Sequence, residues 1–440
     1  MIKKLPFLWL AFCSAGTYAQ AIKTDVLVIG GSPSGVAAAI QCARSKVKTI
    51  LAAHHIQLAV SSGKVTITEN AGIPSGIWGE FRHHVRDLNK IPGLDTAYDS
   101  PLIFEKDAAE PILQKMMDTV KNLTLDLNAS FTSIKKDGDR WEVHFLRAGN
   151  DMEIKARVVV DATKGCTVVQ NAGAKPDLSF SLPKVTYTFL WYRTSIACGW
   201  LWPGDTKIDN TWYPFWIMPL AGVVAHGAEN LLTTENEIHA ASMYPAGRDN
   251  DFLPVQLQLG QGVGALAAYC AFFKTTTANL KVRVIQGELL DFKGYLLPFS
   301  DIRQNDPDWR AIQQVGATGL LRGESDGSGK FVFMPNKLVS TAEIQPVLQE
   351  IYTRAFLWFN REKPGEKFTI GNTLSFISDY TLTDPAILKA GIQKAWQTQF
   401  KFKSDFDMSR PITRREFAVL ANRYLNPFAR TVDLSGRLVN

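Results

Sequence analysis

Cysteine is scarce, five in 440 residues. Beyond Cys13 only Cys42, Cys166, Cys198 and Cys270 remain, far apart, with no Cys-x-x-Cys pair and no histidine at metal-ligand spacing. Neither a disulfide framework nor a zinc site is expected, no metal is called for, and the four read as small buried hydrophobes. A surplus of one charge is also missing: Lys+Arg 48 against Asp+Glu 42 leaves +6, too mild a balance to draw nucleic acid. Long apolar runs are lacking too, since Leu5–Phe12 falls well short of the ~20 residues of a membrane span. No transmembrane span is expected. What is present, 46% hydrophobic and 20% charged residues, suits a folded chain of two or three domains.

Lys3 and Lys4, the short apolar run and the small residues through Thr17-Tyr18-Ala19 form the basic, apolar and small-residue zones of a secretory signal. Cleavage after Ala19 is expected, giving an exported protein, periplasmic or extracellular. Phe12 precedes Cys13 where a lipid-anchor signal needs a small residue, so no lipid anchor is expected.

Thr24-Asp-Val-Leu-Val-Ile-Gly30 reads as a parallel strand covered on both faces. It runs into Gly30-Gly-Ser-Pro-Ser-Gly35, an Ala-rich helix Val36–Arg44 and a second strand Val47–Ala52, which together make one βαβ unit. A glycine turn between strand and helix brings backbone N–H groups and the positive helix end against a pyrophosphate. Gly30 and Gly35 hold the outer positions of Gly-x-Gly-x-x-Gly, with Ser32 in the middle. The acid that should end the second strand and hold a ribose is absent. Ala53 stands there, followed by His54 and His55, which either substitute for it or are plain surface histidines.

Further along, residues 104–121 read as a helix with Pro111 near its start, followed by a strand Leu123–Leu127. A turn at Lys136–Asp139 leads through Trp141–Phe145 to another buried strand, Ala156–Thr163. Aromatics crowd residues 175–217 (Tyr187, Trp191, Tyr192, Trp200, Trp202, Trp212, Trp216 among them), which suits either a pocket lining or ordinary core. Leu259–Phe273 reads as a helix opening on Gly260-Gln-Gly-Val-Gly264. In the last third, Val339–Tyr352 aligns with Ile412–Leu425, each with a capping box, Ser340 with Glu343 and Thr413 with Glu416.

These blocks resemble the FAD-dependent oxidoreductases of the glutathione-reductase-like superfamily over roughly residues 24–275. Asp25–Ile40 is similar to that family's opening, in which the middle glycine is often Thr or Ser. Val158-Val-Val-Asp-Ala-Thr-Lys-Gly165 looks like its strand ending beside the cofactor. Pro219–Leu232 with Leu259–Ala265 looks like the late block that closes the site. The resemblance implies FAD as cofactor, held by Gly30, Gly31, Ser32, Ser34, Gly35, Asp161, Ala162, Thr163, Gly165, Gly260, Gln261, Gly262 and Val263. It further implies a helix starting near Gln261 with its N-terminus toward the flavin. The chain departs from the pattern at Ala53, at Leu58–Ser61 in place of Leu-Gly-Gly-Met, at Asp251 for a frequent arginine and at Gly247 for a histidine. A shifted register would let Arg248 compensate, and Arg248 and His239, which precede the late block, are either candidates for catalysis or ordinary surface residues. Gly319–Gly327, Val339–Glu343 and Pro411–Phe417 resemble S-layer-homology repeats over a short, partial match, which implies either a contact with cell-envelope glycans or a helical cap on the flavoprotein with no docking role.

The expected architecture is α/β: a signal at 1–19, a Rossmann-like FAD-binding domain in two parts (20–170 and 218–275), an inserted aromatic-rich, β-containing substrate domain (171–217) and a helical module with two weak repeats (280–440). The expected function is an exported flavoprotein oxidising or reducing a small organic substrate by hydride transfer. The alternative is a flavin-free, non-catalytic binding protein attached to glycans. A nicotinamide dehydrogenase fits less well, because only one fingerprint is present and its acid is missing.

Overall fold

In a computed structural model, β1 (Ile22–Ile29) lies between β2 (Thr49–Ala53) and β8 (Asn150–Asp161), parallel to both, with β5 (Leu123–Leu127) parallel beyond β2. The structure describes residues 21–56, 63–68, 73–89, 101–176, 189–200, 207–208, 211–212, 215–234, 249–327 and 330–439. The free edge of β8 is shared. Residues 150–156 pair antiparallel with β7 (Arg140–Arg147), itself paired with β6 (Ala129–Asp137), while Val159–Asp161 pairs parallel with β13 (Leu231–Thr233). The sheet thus has seven strands, a parallel set continued by an antiparallel meander.

The alternation of strand side chains explains the apolar run at the start. Val26 and Val28 enter the core that also holds the two long helices, whereas Leu27 and Ile29 enter a second core with Trp141, Val143, Phe145, Val168 and Val169. A strand buried on both faces needs no polar alternate. The four cysteines among the described residues are buried, as expected, and burial raises the thiols of Cys42, Cys198 and Cys270.

Two expected helix boundaries are corrected. The helix placed at 104–121 is α3 (Lys106–Asp118), because Leu102 and Phe104 are buried while Ile103 and Glu105 are exposed. That period of two makes β4 (Leu102–Glu105), which pairs with β3 (Lys64–Ile67). The glycine-rich helix does not start at Gln261. It is α6 (Leu253–Phe272), with Pro254 in its first turn and the glycines in its middle. α1 (Pro33–Arg44) lies against it. A Cβ on Gly260 would stand 2.1 Å from the Ser34 carbonyl oxygen, and one on Gly264 would stand 2.5 Å from that of Ala38. Spaced four apart on one face, these glycines let the two helix backbones touch.

Of the aromatic-rich segment, the described part includes α5 (Phe189–Thr194) and β9 (Ser195–Trp200), which pairs antiparallel with β12 (Phe215–Pro219). Trp200, Phe215 and Trp216 are buried in the main core, with the Phe215 ring 4.1 Å from that of Phe331. Tyr187, Trp202 and Tyr213 lie outside the described residues.

The last third begins with α7 (Val282–Asp291) and α8 (Trp309–Ala317). Then three N-cap segments close into a triangle. Val339 N–H donates to the Ile412 carbonyl, Ile412 N–H to that of Phe368, and Phe368 N–H to that of Val339, each at 2.9 Å. From its corners start α9 (Thr341–Ile351), α11 (Ile370–Thr381) and α13 (Arg414–Leu420), capped by Ser340, Thr369 and Thr413. Between them lie α10 (Ala355–Glu362) and α12 (Pro385–Thr398). Two repeats are expected from sequence; the structure has three such corners, with full capping boxes at Thr413–Glu416 and Thr369–Asn372, whereas at the first only the Ser340 half forms because the Glu343 carboxylate turns to Arg414.

Candidate functional site

The turn after β1 is built by close backbone approaches. Gly30 has φ +115°, and a Cβ there would lie 2.4 Å from the Ala162 carbonyl oxygen. On Gly31 it would meet the His55 carbonyl oxygen at 2.1 Å, and on Gly35 that of Gly30 at 2.3 Å. Ser32 does not crowd the turn. As N-cap of α1, its hydroxyl oxygen accepts the Gly35 N–H at 3.2 Å and donates to the Ala162 carbonyl at 3.2 Å, beside the Ser34 hydroxyl at 2.9 Å. Ser34 donates to the Thr234 hydroxyl at 2.9 Å, and Thr234 N–H to the Asp161 carbonyl at 3.0 Å. Among the described residues, the N–H groups of Gly31, Ser32 and Ser34 meet no acceptor. Three donors at the positive end of a 12-residue helix are a ready anion cradle.

The end of β8 completes the floor. Asp161 is fully buried. Its carboxylate accepts from Thr163 N–H (2.9 Å), the Thr163 hydroxyl (2.6 Å) and Val169 N–H (2.8 Å). Burial pushes this carboxyl above its ordinary range, and those donors pull the other way. Asp161 therefore holds its own turn and the start of α4 (Thr167–Asn171), while Ala162 is what touches Gly30, Gly35 and Ser32. Gly165, at φ +73°, is exposed with open space around its Cα.

The α6 residues take a different part from the one expected. Gly260 packs on Ser34 beneath the glycine turn, a Cβ on Gly262 would meet the Ile196 carbonyl oxygen at 2.6 Å, and Val263 is wholly buried. The Gln261 carboxamide is a clamp: its Oε1 accepts from Ile77 N–H (3.2 Å), and its Nε2 donates to Gln41 Oε1 (3.1 Å) and the Phe292 carbonyl (3.2 Å). It thereby ties α1 and α6 to α2 (Gly76–Leu88). The N-terminus of α6 is at Leu253, next to Asp251, whose carboxylate accepts from Thr68 N–H at 2.8 Å and the Thr68 hydroxyl at 3.0 Å.

Ala53 is buried at the end of β2. His54 and His55 beyond it are exposed, their Nδ1 atoms 3.0 Å apart. Leu58–Ser61, His239, Gly247 and Arg248 lie outside the described residues, as does the segment 1–19. Sequence reading passed over Thr234, whose only signal is its place just past the end of β13. Away from the turn, Glu142, His144 and Glu153 bring ligand-type atoms together on the meander. Lys135 (2.5 Å) and Lys155 (3.3 Å) already sit on Glu142, and Lys155 on Glu153 (3.4 Å), so this is an ion-pair network.

Comparison with known proteins bears on this same region. Residues 25–178 match the family model described as FAD dependent oxidoreductase, a minority of the chain. No curated protein matches. Among solved structures, the p-nitrophenol 4-monooxygenase PnpA from Pseudomonas putida DLL-E4 is similar at 13% identity and TM-score 0.27, over 35% of this chain and 44% of that one. The flavin-dependent monooxygenase PieE, in complex with FAD and substrate, is similar at 16% identity and TM-score 0.28, over 36% and 33%. Each match spans less than half of the other protein. The family match identifies FAD as the cofactor and supports flavin-dependent oxidoreductase chemistry.

Proposed function

We propose that the chain is an exported flavoprotein that transfers hydride between a small organic substrate and FAD. The observation that carries this reading is the β1–α1 turn: three unused N–H groups, at Gly31, Ser32 and Ser34, beside a backbone with no room for a Cβ at Gly30, Gly31 or Gly35. A pyrophosphate is the dianion such a cradle suits. Gly30, Gly31, Ser32, Ser34 and Gly35 would hold it, with Ala162, Thr163 and Gly165 flanking and Gly260–Val263 keeping α1 at the right height. The flavin, when bound, supplies the hydride acceptor or donor. The protein's part is to orient it, with the N-terminus of α1 at the glycine turn as the positive helix end beside its phosphates. Segment 171–217 presents the substrate, with Arg248 and His239 as candidates to position it. The triangle module from 280 onward is either a cap on the flavoprotein with no docking role or a surface for envelope glycans.

The second reading, a flavin-free binding protein of the same fold, draws on Ala53 and on the acid Asp251 where the family carries arginine. FAD titration of the wild type and Gly31→Ala, with thermal unfolding of both, separates the two. Stoichiometric binding by the wild type and a loss of more than about tenfold in a folded Gly31→Ala protein is the expected result. Equal binding by both proteins, or no binding by the wild type, contradicts the proposal.

A further inference from the structure

We propose that Gln256 supplies a side-chain hydrogen bond to the polyol chain that joins pyrophosphate and flavin in FAD, an assignment that rests on the flavoprotein reading. α1 and α6 run parallel and in step, since Gly260 lies against Ser34 and Gly264 against Ala38, four residues on in both helices. α1 begins at Pro33, whereas α6 begins at Leu253, seven residues before Gly260. The first two turns of α6 therefore extend past the start of α1, alongside the glycine turn. Gln256 stands one turn before Gly260 on the same side of the helix, about 6 Å further along its axis. The phase of α6 sets where it points. Gly260 and Gly264 face α1, Gln261 faces α2, and Gly262 faces Ile196 in β9. The remaining flank, with Leu259 and Val263, is left for β1, β8 and β13, which α6 crosses. Gln256 falls between that flank and the α1 face, at the exit of the chain from β1 into the turn.

Burying a carboxamide without hydrogen bonds is costly. Gln256 is 8% exposed, and its carboxamide meets no partner among the described residues. Its neighbours three residues before, and three and seven after, Leu253, Leu259 and Val263, are apolar and at most 2% exposed. A lone polar side chain among them, at the mouth of an anion cradle, is explained by a ligand. The order of strands says which part of the ligand it meets. The position that holds the adenosine ribose in such a fold is the end of the second strand, here β2, on one side of β1. The flavin half then lies on the other side, over β8 and β13, which are the strands that α6 crosses. Helix side chains lean toward the helix N-terminus, which carries the Gln256 carboxamide beyond the N–H groups of Gly31, Ser32 and Ser34. Those groups serve phosphate oxygens, which only accept. A carboxamide both donates and accepts, and so does a polyol hydroxyl.

Gln258 provides the comparison. It shares the face of Gly262, turned to β9, and both polar atoms of its carboxamide are sealed in without a partner. Wild type, Gln256→Leu and Gln258→Leu are titrated by calorimetry with FAD and with ADP, and their thermal unfolding is followed without ligand. Replacing an unpartnered buried amide by an apolar group of similar size leaves the unliganded melting temperature equal or higher in both variants. FAD binding weakened about tenfold or more in Gln256→Leu alone is the expected result, with ADP, which has the pyrophosphate but no polyol, behaving alike in all three proteins. Equal FAD binding by wild type and Gln256→Leu, an equal FAD loss in Gln258→Leu, a matching loss of ADP affinity, or a lowered melting temperature of unliganded Gln256→Leu overturns the proposal and leaves the flavoprotein reading standing. A wild type that binds no FAD overturns both.

Discussion

At the β1–α1 turn three backbone N–H groups meet no acceptor among the described residues, whereas around the C-terminal triangle the charged groups answer one another. Arg415 takes Asp306 and Asp308 (2.7 Å each), Arg410 takes Glu416 (2.9 Å), and the fully buried Arg414 takes Glu343 (2.5 Å) and the Arg322 carbonyl. Both regions start helices on Ser or Thr caps, so the local rule is shared. What differs is whether the backbone donors are consumed: around the triangle the N–H groups of Val339, Phe368, Ile412, Arg414 and Arg415 all find carbonyls. A structure that spends its donors on itself is a scaffold, and one that leaves them aimed at open space is prepared for a ligand. The module's arginines are therefore structural, and the turn is where chemistry is to be sought.

That contrast can be broken experimentally. Arg414→Ala empties the site of a fully buried guanidinium and leaves the part-buried Glu343 without its closest cation, and is expected to cost about 2–3 kcal/mol, read as a lower denaturant midpoint, with FAD affinity unchanged; a change in affinity alone would dissolve the distinction between the two regions. Thr369→Ala removes the cap of α11, where the Thr369 hydroxyl oxygen accepts the Asn372 N–H at 3.0 Å. It should cost about 1 kcal/mol by the same measurement, and no loss would mean the triangle alone holds that corner.

The smallest effect lies on the meander. Hydrogen bonds to the Glu142 and Asp151 carboxylates, both at 3.0 Å, hold His144 above its ordinary value of 6.5. A histidine raised by folding stabilises fully below its ordinary value, and that contribution is lost as pH rises through the folded value. Melting temperature should therefore fall across that window in the wild type and more shallowly in His144→Gln. Identical slopes would show that the network does not sense pH.

Much of this fold was legible because its rules are local. Gly30 and Gly35 are fixed by sterics within one turn, and β1 by an unbroken apolar run, so motif and structure coincide there. The role of the α6 glycines was not legible, because a glycine admitting a phosphate and one admitting a neighbouring helix look the same in sequence. Only the 2.1 Å approach to Ser34 tells them apart. Gln261 and Thr234 are long-range partners, 220 residues from Gln41 and 200 from Ser34, and no spacing rule reaches that far. The third corner of the triangle escaped because Asn372 stands where the other two caps carry glutamate.

The most direct test of the central claim is the absorption spectrum of the purified chain, from Gln20 onward, incubated with FAD and freed of excess. A retained flavin spectrum at one equivalent, lost in Gly31→Ala while the protein stays folded, is the predicted result. A folded, colourless wild type that refuses FAD would contradict it.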